Sequence, residues 1–358
     1  MHKKLFIPGP VEVAQDVLEK MSTPMIGHRS KEASRIQRAI SDYMRIIFNT
    51  KEEILLSTTS GSGLMEGAVR SCTAKRAAIF SVGAFGNRWY DMAIANGVPA
   101  DKFEVEWGTA TTPEQVDEVL STGKYDLITV THNETSTGIM NPLDEISKVV
   151  KKYPDVVFCL DTVSSAAGTE LKVDEWGVDI CITSTQKAIG LPPGMSICTF
   201  SKKAIERAKQ VPNRGVYLDL LALYEYIQKK DYQYPSTPSL SHMFALEYQL
   251  DKIINKEGLE NRYKRHIEGA KIVRAWASKY FEILPQEPYM SNTLTNIKNT
   301  RNVDIADLNK KLGERGYQIS NGYGKLKDKT FRIAHMAETK PEELVELLKV
   351  IDEILGLE

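Results

Sequence analysis

The sequence lacks the features of secreted, membrane-spanning and nucleic-acid-binding proteins. It has only four cysteines in 358 residues, which are Cys72, Cys159, Cys181 and Cys198, and they show neither a disulfide framework nor metal-ligand spacing. The 46 lysines and arginines nearly balance the 47 aspartates and glutamates, so there is no basic field to attract nucleic acid. No run approaches the roughly 18 apolar residues of a membrane-spanning helix, and residues 1–8 lack the apolar core of a signal peptide. We therefore expect a cytoplasmic protein with no metal, no nucleic-acid partner and no membrane association.

Short strands alternate with helices from residue 54 to residue 200. This alternation predicts a mostly parallel sheet with helices on both faces, which is a three-layer α/β/α fold. After residue 200 helices predominate, and strands return near residues 293–298 and 330–335, which indicates a smaller α+β layer. We expect an extended N-terminal segment over residues 1–18, a large domain over residues 19–258 and a small C-terminal domain over residues 259–358.

Glycines mark two places where we expect the chain to turn. Gly83 to Gly86 follow a strand, so we expect a turn there and a helix that begins only at Arg88. Gly316, Gly322 and Gly324 predict a glycine-rich bend over residues 316–324.

A lysine and an aspartate each come at the end of a buried strand. Lys187 follows the apolar run 178–182, and Asp161 ends the apolar run 156–160. A partly buried lysine has a lowered pKa and can act as an amine nucleophile, although a lysine at a strand end more often extends to water. In a parallel sheet both side chains would reach the C-terminal edge, where α/β sheets bind ligands. Asp161 could instead cap the turn that follows it.

This pair of residue types is what pyridoxal phosphate requires. A lysine condenses with its aldehyde, and an acid keeps its ring nitrogen protonated so that the ring accepts electrons. The small-residue loop 60–63 opens a helix, where free N–H groups and the helix dipole favour a phosphate. Its glycine spacing does not fit a dinucleotide loop, and it lacks the Gly-Lys-Ser/Thr of a P-loop. From spacing alone, a phosphate site and an ordinary helix start remain equally favoured.

Two further residues have both a structural and a functional interpretation. Arg332 lies within an apolar strand and needs a partner. That partner is either a structural acid or a substrate α-carboxylate, which the planar guanidinium can bind with two parallel hydrogen bonds. Phe85 is flanked by glycines and is either a core aromatic or a ring that stacks on a ligand.

The sequence resembles the fold-type I, class V aminotransferases of the alanine–glyoxylate and serine–pyruvate group over nearly its whole length. The matching stretches occur in the family order and are Pro8-Gly9-Pro10, Ser60-Gly61-Ser62-Gly63, Gly83-Ala84-Phe85-Gly86, Thr131-His132-Asn133-Glu134-Thr135-Ser136-Thr137-Gly138, Asp161-Thr162-Val163-Ser164-Ser165, Ser184-Thr185-Gln186-Lys187 and Phe331-Arg332-Ile333.

The resemblance implies pyridoxal 5'-phosphate as the cofactor and assigns roles to individual residues. Lys187 would hold the cofactor and move a proton, and Asp161 would keep the pyridine nitrogen protonated. Phe85, which replaces the family's usual tryptophan, and Val163 would enclose the ring, and Thr135 would bond the ring hydroxyl. The phosphate would be bound by Ser62, Gly63, Leu64 and Gln186, together with Tyr234 and Thr237 from the other subunit of a homodimer with shared active sites. The substrate would contact Arg332, Gly9, His28 and Arg29.

The implied reaction moves an amino group from a small amino acid, of the serine or alanine type, to a 2-oxo acid such as glyoxylate or pyruvate. His28-Arg29 resembles the pair with which phosphoserine aminotransferases hold a substrate phosphate, so a phosphoserine or aspartate aminotransferase that uses 2-oxoglutarate is the alternative. A loop salt bridge also explains Arg29. A cysteine desulfurase or other β-lyase is less favoured, because Cys198 is the last cysteine and lies in a predicted strand. A regulator that binds the cofactor without turnover is disfavoured by the intact Lys187, Asp161 and Arg332.

Overall fold

The computed structural model describes residues 2–357, which form two α/β units around separate sheets. The strands are β1 (Lys4–Phe6), β2 (Glu53–Ser57), β3 (Ala77–Ser81), β4 (Ala100–Glu104), β5 (Leu127–Thr131), β6 (Asn133–Glu134), β7 (Ile139–Met140), β8 (Val157–Asp161), β9 (Ile180–Ser184), β10 (Ser196–Phe200), β11 (Glu282–Ile283), β12 (Leu294–Lys298), β13 (Tyr317–Asn321) and β14 (Thr330–Ala334).

The helices surround both sheets. They are α1 (Gln15–Met21), α2 (Lys31–Phe48), α3 (Gly61–Cys72), α4 (Ala84–Ala95), α5 (Pro113–Ser121), α6 (Leu143–Val150), α7 (Val173–Trp176), α8 (Lys202–Gln210), α9 (Leu220–Lys229), α10 (Leu240–Asp251), α11 (Leu259–Tyr280), α12 (Ile305–Glu314) and α13 (Pro341–Leu355). A π-helical stretch, Lys252–Glu257, joins α10 to α11, and a 3-10 turn, Gly324–Leu326, precedes β14. Within residues 2–357, no helix is long and apolar enough to cross a bilayer.

The large sheet has seven strands in the order β2-β10-β9-β8-β5-β3-β4. It is parallel except for β10, which runs antiparallel to both of its neighbours. Alternate residues of each strand enter different cores: Phe158 and Leu160 pack in one core, and Val157 and Cys159 in the other. The predicted three-layer α/β/α fold with a mostly parallel sheet is confirmed. Since β8 and β9 are parallel neighbours, with Asp161 opposite Ile182, their carboxyl ends meet at one edge.

The small sheet has five strands in the order β1-β13-β14-β12-β11, and its core includes side chains from α11, α12 and α13. The predicted bend over residues 316–324 was wrong for β13, which is a strand. It is held between β1, where Lys4 lies opposite Tyr317, and β14, where Ser320 lies opposite Arg332. The N-terminal strand therefore belongs to the C-terminal sheet.

Helix α4 begins at Ala84, so the predicted turn over residues 83–86 and helix start at Arg88 were wrong. The first N–H groups of the helix find acceptors in a distant loop. Ser136 Oγ accepts from Ala84 N at 2.9 Å, and Glu134 Oε2 accepts from Phe85 N and Gly86 N, both at 3.0 Å. A carboxylate at a helix N-terminus also interacts favourably with the helix dipole.

Candidate active site

A cavity of about 120 Å³ lies at the edge of the large sheet where β8 and β9 end. It is lined by Ser60, Gly61, Ser62, Met65, Phe85, Arg88, Asn133, Thr135, Asp161, Val163, Gln186 and Lys187. Seven of these side chains are among the site residues predicted from the sequence: Ser62, Phe85, Thr135, Asp161, Val163, Gln186 and Lys187. The cavity therefore brings together residues from five separate segments of the chain.

Lys187 lies just after β9 and is buried, with 8% of its surface exposed. Its Nζ donates a hydrogen bond to the carbonyl of Pro8. Gly9 has a positive φ of 92° and packs so closely that a Cβ there would lie 2.6 Å from Lys187 Cδ. Burial, together with the nearby charge of Arg332, lowers the pKa of the Lys187 amine to about 8. A substantial fraction of the amine is therefore neutral and nucleophilic near neutral pH.

The backbone that follows Lys187 is held by side chains from α10 and α11. Arg262 Nη2 donates to the carbonyl of Ala188 at 2.8 Å, and Gln249 Nε2 donates to the carbonyl of Ile189 at 2.9 Å. Glu338 accepts from both, at 3.1 Å from Arg262 Nη1 and at 2.7 Å from Gln249 Nε2. Sequence reasoning missed this cluster, whose members come from α10, α11 and the segment after β14.

Asp161 ends β8 and is buried, with 4% of its surface exposed. Its Oδ1 accepts a hydrogen bond from Val163 N at 2.8 Å, and no other donor within residues 2–357 bonds to the carboxylate. Burial raises the pKa of Asp161 to about 7. A carboxylate that is buried with so few donors is stabilised by a cationic partner, and a protonated ring nitrogen in the cavity would supply one.

Two polar features of the cavity wall lack partners within the described chain. Asn133 Oδ1 is buried and has no hydrogen bond, although its Nδ2 donates to Ser164 O and Thr293 Oγ1. Helix α3 begins at the cavity, and the side chain of its N-cap residue, Ser60, does not bond the N–H groups of the first turn. Buried polar groups normally have partners, so both features leave room for ligand atoms, and the helix end favours an anion.

The walls of the cavity offer an aromatic face and an apolar face. Phe85 lies in the first turn of α4, and Val163 follows β8. Gly61 approaches Val163 so closely that a Cβ there would lie 2.7 Å from Val163 Cγ2. Thr135 Oγ1 bonds Ser164 Oγ at 2.5 Å, and Gln186 accepts from Ser184 Oγ. An aromatic side chain and an apolar side chain that line one cavity with hydroxyl groups nearby suit a flat, partly polar ring.

Arg332 lies in the middle of β14 and is buried, with 7% of its surface exposed. Its Nε and Nη2 donate to the carbonyl of Asn321 at 3.1 and 3.0 Å, and its Nη1 donates to the carbonyl of Thr135 at 3.2 Å. It forms no ion pair with any acid of residues 2–357. Burial lowers the pKa of the guanidinium to about 10, so it stays charged at neutral pH. A buried cation without an acid partner favours an anionic ligand.

Arg332 and Gly9 contact residues of the cavity without lining it, and the remaining predicted residues do not line it either. Gly63 and Leu64 continue α3, and the Leu64 side chain lies in the core. Tyr234 is buried, and its hydroxyl accepts from Thr58 N at 3.4 Å. Thr237 is exposed and His28 half-buried. The exposed Arg29 donates to the carbonyls of Tyr234 and Pro235.

Arg88, Glu134 and Tyr323 were not predicted as site residues, yet they contact residues that were. Arg88 Nη1 donates to Ser62 Oγ at 3.2 Å, and its guanidinium carbon is 4.7 Å from the centroid of the Phe85 ring. Residues three apart share a helix face, so a helix that included Phe85 would have pointed to Arg88. Tyr323 stacks on Phe85, and only its flanking glycines distinguish it in the sequence.

Three comparisons relate the chain to known proteins. The family model described as aminotransferase class-V matches residues 11–328. The chain is 37% identical over 358 residues to an uncharacterized aminotransferase of Methanocaldococcus jannaschii, with 98% of this chain and 92% of the relative covered. It is 30% identical over 364 residues to a serine–glyoxylate aminotransferase of Arabidopsis thaliana, with 98% and 90% covered. Among solved structures, an alanine–glyoxylate aminotransferase from Nostoc sp. matches with a TM-score of 0.93 at 26% identity, with 99% and 96% covered.

Proposed function

Because this chain belongs to the class-V aminotransferase family, we propose that it moves an amino group from a small amino acid of the serine or alanine type to a 2-oxo acid such as glyoxylate or pyruvate, with pyridoxal 5'-phosphate as its cofactor. The names of its relatives, a serine–glyoxylate and an alanine–glyoxylate aminotransferase, support this substrate class. Its fold is that of the fold-type I transferases.

One observation carries the proposal: Lys187 and Asp161 lie at the ends of adjacent parallel strands and line one cavity. An amine with a lowered pKa and a buried carboxylate with one internal donor are the two groups that this cofactor needs at opposite ends of its reacting system. Within residues 2–357, no other lysine lines the cavity.

The residues of the cavity fit the cofactor in three respects. When bound, pyridoxal phosphate supplies an aldehyde that takes up the amino group and a ring that accepts electrons from the substrate Cα. The uncapped start of α3 suits its phosphate. The buried Asp161 carboxylate would hold a proton on the ring nitrogen, and Phe85 and Val163 would enclose the ring and exclude water.

Lys187 is the general base and acid of the proposed reaction. Its neutral Nζ would remove the proton from the substrate Cα and return it on the cofactor side. The hydrogen bonds of Arg262 and Gln249 to the two carbonyls that follow Lys187 fix the backbone from which this side chain extends. Precise placement of such a base matters, since small displacements of a catalytic group cost large factors in rate.

Arg332 is the proposed binding residue for the substrate carboxylate. Its contacts with Asn321 and Thr135 hold the guanidinium plane but leave its charge uncompensated. Because amino acid and 2-oxo acid both carry a carboxylate next to the reacting carbon, one arginine serves both half-reactions.

A homodimer is also part of the proposal. The segment that contains Tyr234 and Thr237 was assigned by family resemblance to the phosphate of the other subunit. Nearby Val216 is 90% exposed and Tyr217 is 49% exposed. These two adjacent apolar side chains support the proposal, because a second copy would cover them.

The test is a half-reaction assay on the holoenzyme. Addition of serine or alanine should change the absorption of the cofactor, and subsequent glyoxylate or pyruvate should restore it and yield glycine or alanine. Lys187→Ala should abolish both changes, whereas Lys203→Ala should preserve them, because Lys203 pairs with Asp179 and neither residue lines the cavity. A panel that includes aspartate and phosphoserine identifies the donor, and absence of any response to all four donors would refute the proposal.

A further inference from the structure

Tyr323 lies between the cavity wall and solvent. Its ring stacks on Phe85, with centroids 5.4 Å apart and 25° between the ring planes. Its hydroxyl accepts a hydrogen bond from Arg88 Nη2 at 3.2 Å. Phe85 and Arg88 both line the cavity, and Tyr323 itself is 38% exposed. The small domain therefore places an aromatic ring across the outer side of the cavity.

The same ring lies beside Arg332. The guanidinium carbon of Arg332 is 5.6 Å from the centroid of Tyr323. Arg332 donates two hydrogen bonds to the carbonyl of Asn321, which precedes Tyr323 by two residues. The cation and the ring are thus held at a fixed distance by one short segment.

The loop that carries Tyr323 is fixed on both sides. At Gly322 a Cβ would lie 2.0 Å from the carbonyl oxygen of Leu326, so only glycine lets the chain fold back there. On the outer side, Lys325 Nζ lies 4.0 Å from the ring centroid of Trp107, a cation–π contact. These contacts therefore hold the loop of Tyr323 in a defined position.

We propose that Tyr323 determines which substrate side chains the site accepts. The inference rests on the proposed function, because it takes Arg332 as the carboxylate-binding residue. In a guanidinium–carboxylate pair the N–O distance is about 2.8 Å, so a carboxylate on Arg332 brings the rest of the amino acid next to the Tyr323 ring. The ring leaves space for the side chain of alanine or serine and excludes branched or aromatic side chains.

The experiment compares the holoenzyme with Tyr323→Ala, Tyr323→Phe and Trp107→Ala. For each, kcat/KM is measured with alanine, serine, leucine and phenylalanine. Tyr323→Ala should raise the leucine-to-alanine ratio about ten-fold or more, which is the range for one or two carbon groups in an apolar pocket. Tyr323→Phe should keep the wild-type ratio because it keeps the ring. Trp107→Ala removes the contact with Lys325 and so loosens the loop without removing the Tyr323 ring. It should also keep the wild-type leucine-to-alanine ratio.

Two outcomes overturn the inference: an unchanged ratio in Tyr323→Ala, or an equal change in Trp107→Ala, which would attribute selectivity to loop mobility. Calorimetric binding of acetate and isovalerate to the holoenzyme separates this inference from the proposed function, because it requires no turnover. Tyr323→Ala should improve the binding of isovalerate relative to acetate. If no amino acid reacts, the proposed function fails, and these two carboxylates still decide the role of Tyr323, since equal binding of both to the wild type would refute it.

Discussion

Replacement of Asp161 by asparagine should stabilise the cofactor-free protein while it abolishes most activity. Burial raises the pKa of this carboxyl from its ordinary 3.8 to about 7. Each pKa unit corresponds to about 1.4 kcal/mol, so ionisation of Asp161 costs the folded chain roughly 4 kcal/mol more than the unfolded chain.

The sign of the pH dependence follows from the raised pKa. Below about pH 4 the carboxyl is protonated in both states, and it contributes no penalty. As the pH rises towards 7, the unfolded chain releases the proton and the folded chain retains it, so stability is lost progressively; above pH 7 the full penalty remains. Asp161→Asn removes this penalty, so its gain should be a few kcal/mol at pH 8 and smaller at pH 5.

The assay is urea unfolding of the cofactor-free proteins at pH 5 and pH 8. Asp179→Asn is the matched control. Asp179 is also 4% exposed and precedes the adjacent strand, but its carboxylate accepts from Phe158 N and Ser201 Oγ and pairs with Lys203. This control should lose stability at pH 8. If Asp161→Asn were destabilised there to the same extent, Asp161 would be a satisfied structural acid and the reasoning would be wrong. The half-reaction rate of the Asp161→Asn holoenzyme should fall by several orders of magnitude, because an amide cannot hold the ring nitrogen protonated.

Three further predictions test Lys187 in the cavity and Arg332 and Glu134 beside it. Cofactor-free protein should capture pyridoxal phosphate on Lys187 at a rate that rises with pH, reaches half its maximum near pH 8 and levels off above it, as the lowered pKa of this amine requires. A midpoint near pH 10 would contradict the burial argument. Arg332→Lys should raise the KM of donor and acceptor alike by roughly ten- to a hundred-fold, the equivalent of a charge-assisted hydrogen bond of about 1.5–3 kcal/mol. The control Arg274→Lys also loses a bond to a backbone carbonyl, that of Ser291, and should leave both KM values unchanged. Glu134→Gln should weaken cofactor binding about ten-fold in a fluorescence titration, because an amide replaces an oxygen that accepts N–H bonds at the start of α4, and unchanged binding would show that Phe85 needs no such anchor.

The sequence was sufficient for features that depend on local pattern. Apolar runs predicted the strands that end near Asp161 and Lys187, and the alternation of strands with helices predicted the mostly parallel sheet. The meeting of these two residues at one sheet edge followed from the rule that parallel strands share their C-terminal edge.

Features that depend on contacts between distant segments could not be predicted from local sequence patterns. Helix α4 starts at Ala84 because Glu134 and Ser136, from another loop, accept its first N–H groups. Strand β13 lies between glycines that suggest a bend, and its pairing with β1 decides its conformation. Tyr323 and Arg88 meet only because the segment that follows β13 packs against α4. In each case tertiary contacts override local propensity.

The pairing of β1 with β13 has a consequence for how the protein is made. During synthesis β1 leaves the ribosome long before its partner strand β13, which comes after every strand of the large sheet has been made. The same N-terminal segment places Pro8 and Gly9 against Lys187. Because β1 can pair only after β13 has been made, the surroundings of this lysine stay incomplete until translation has passed residue 321. Since contacts between distant parts of a chain form slowly, we expect capture of the cofactor to be one of the last events in the maturation of the protein.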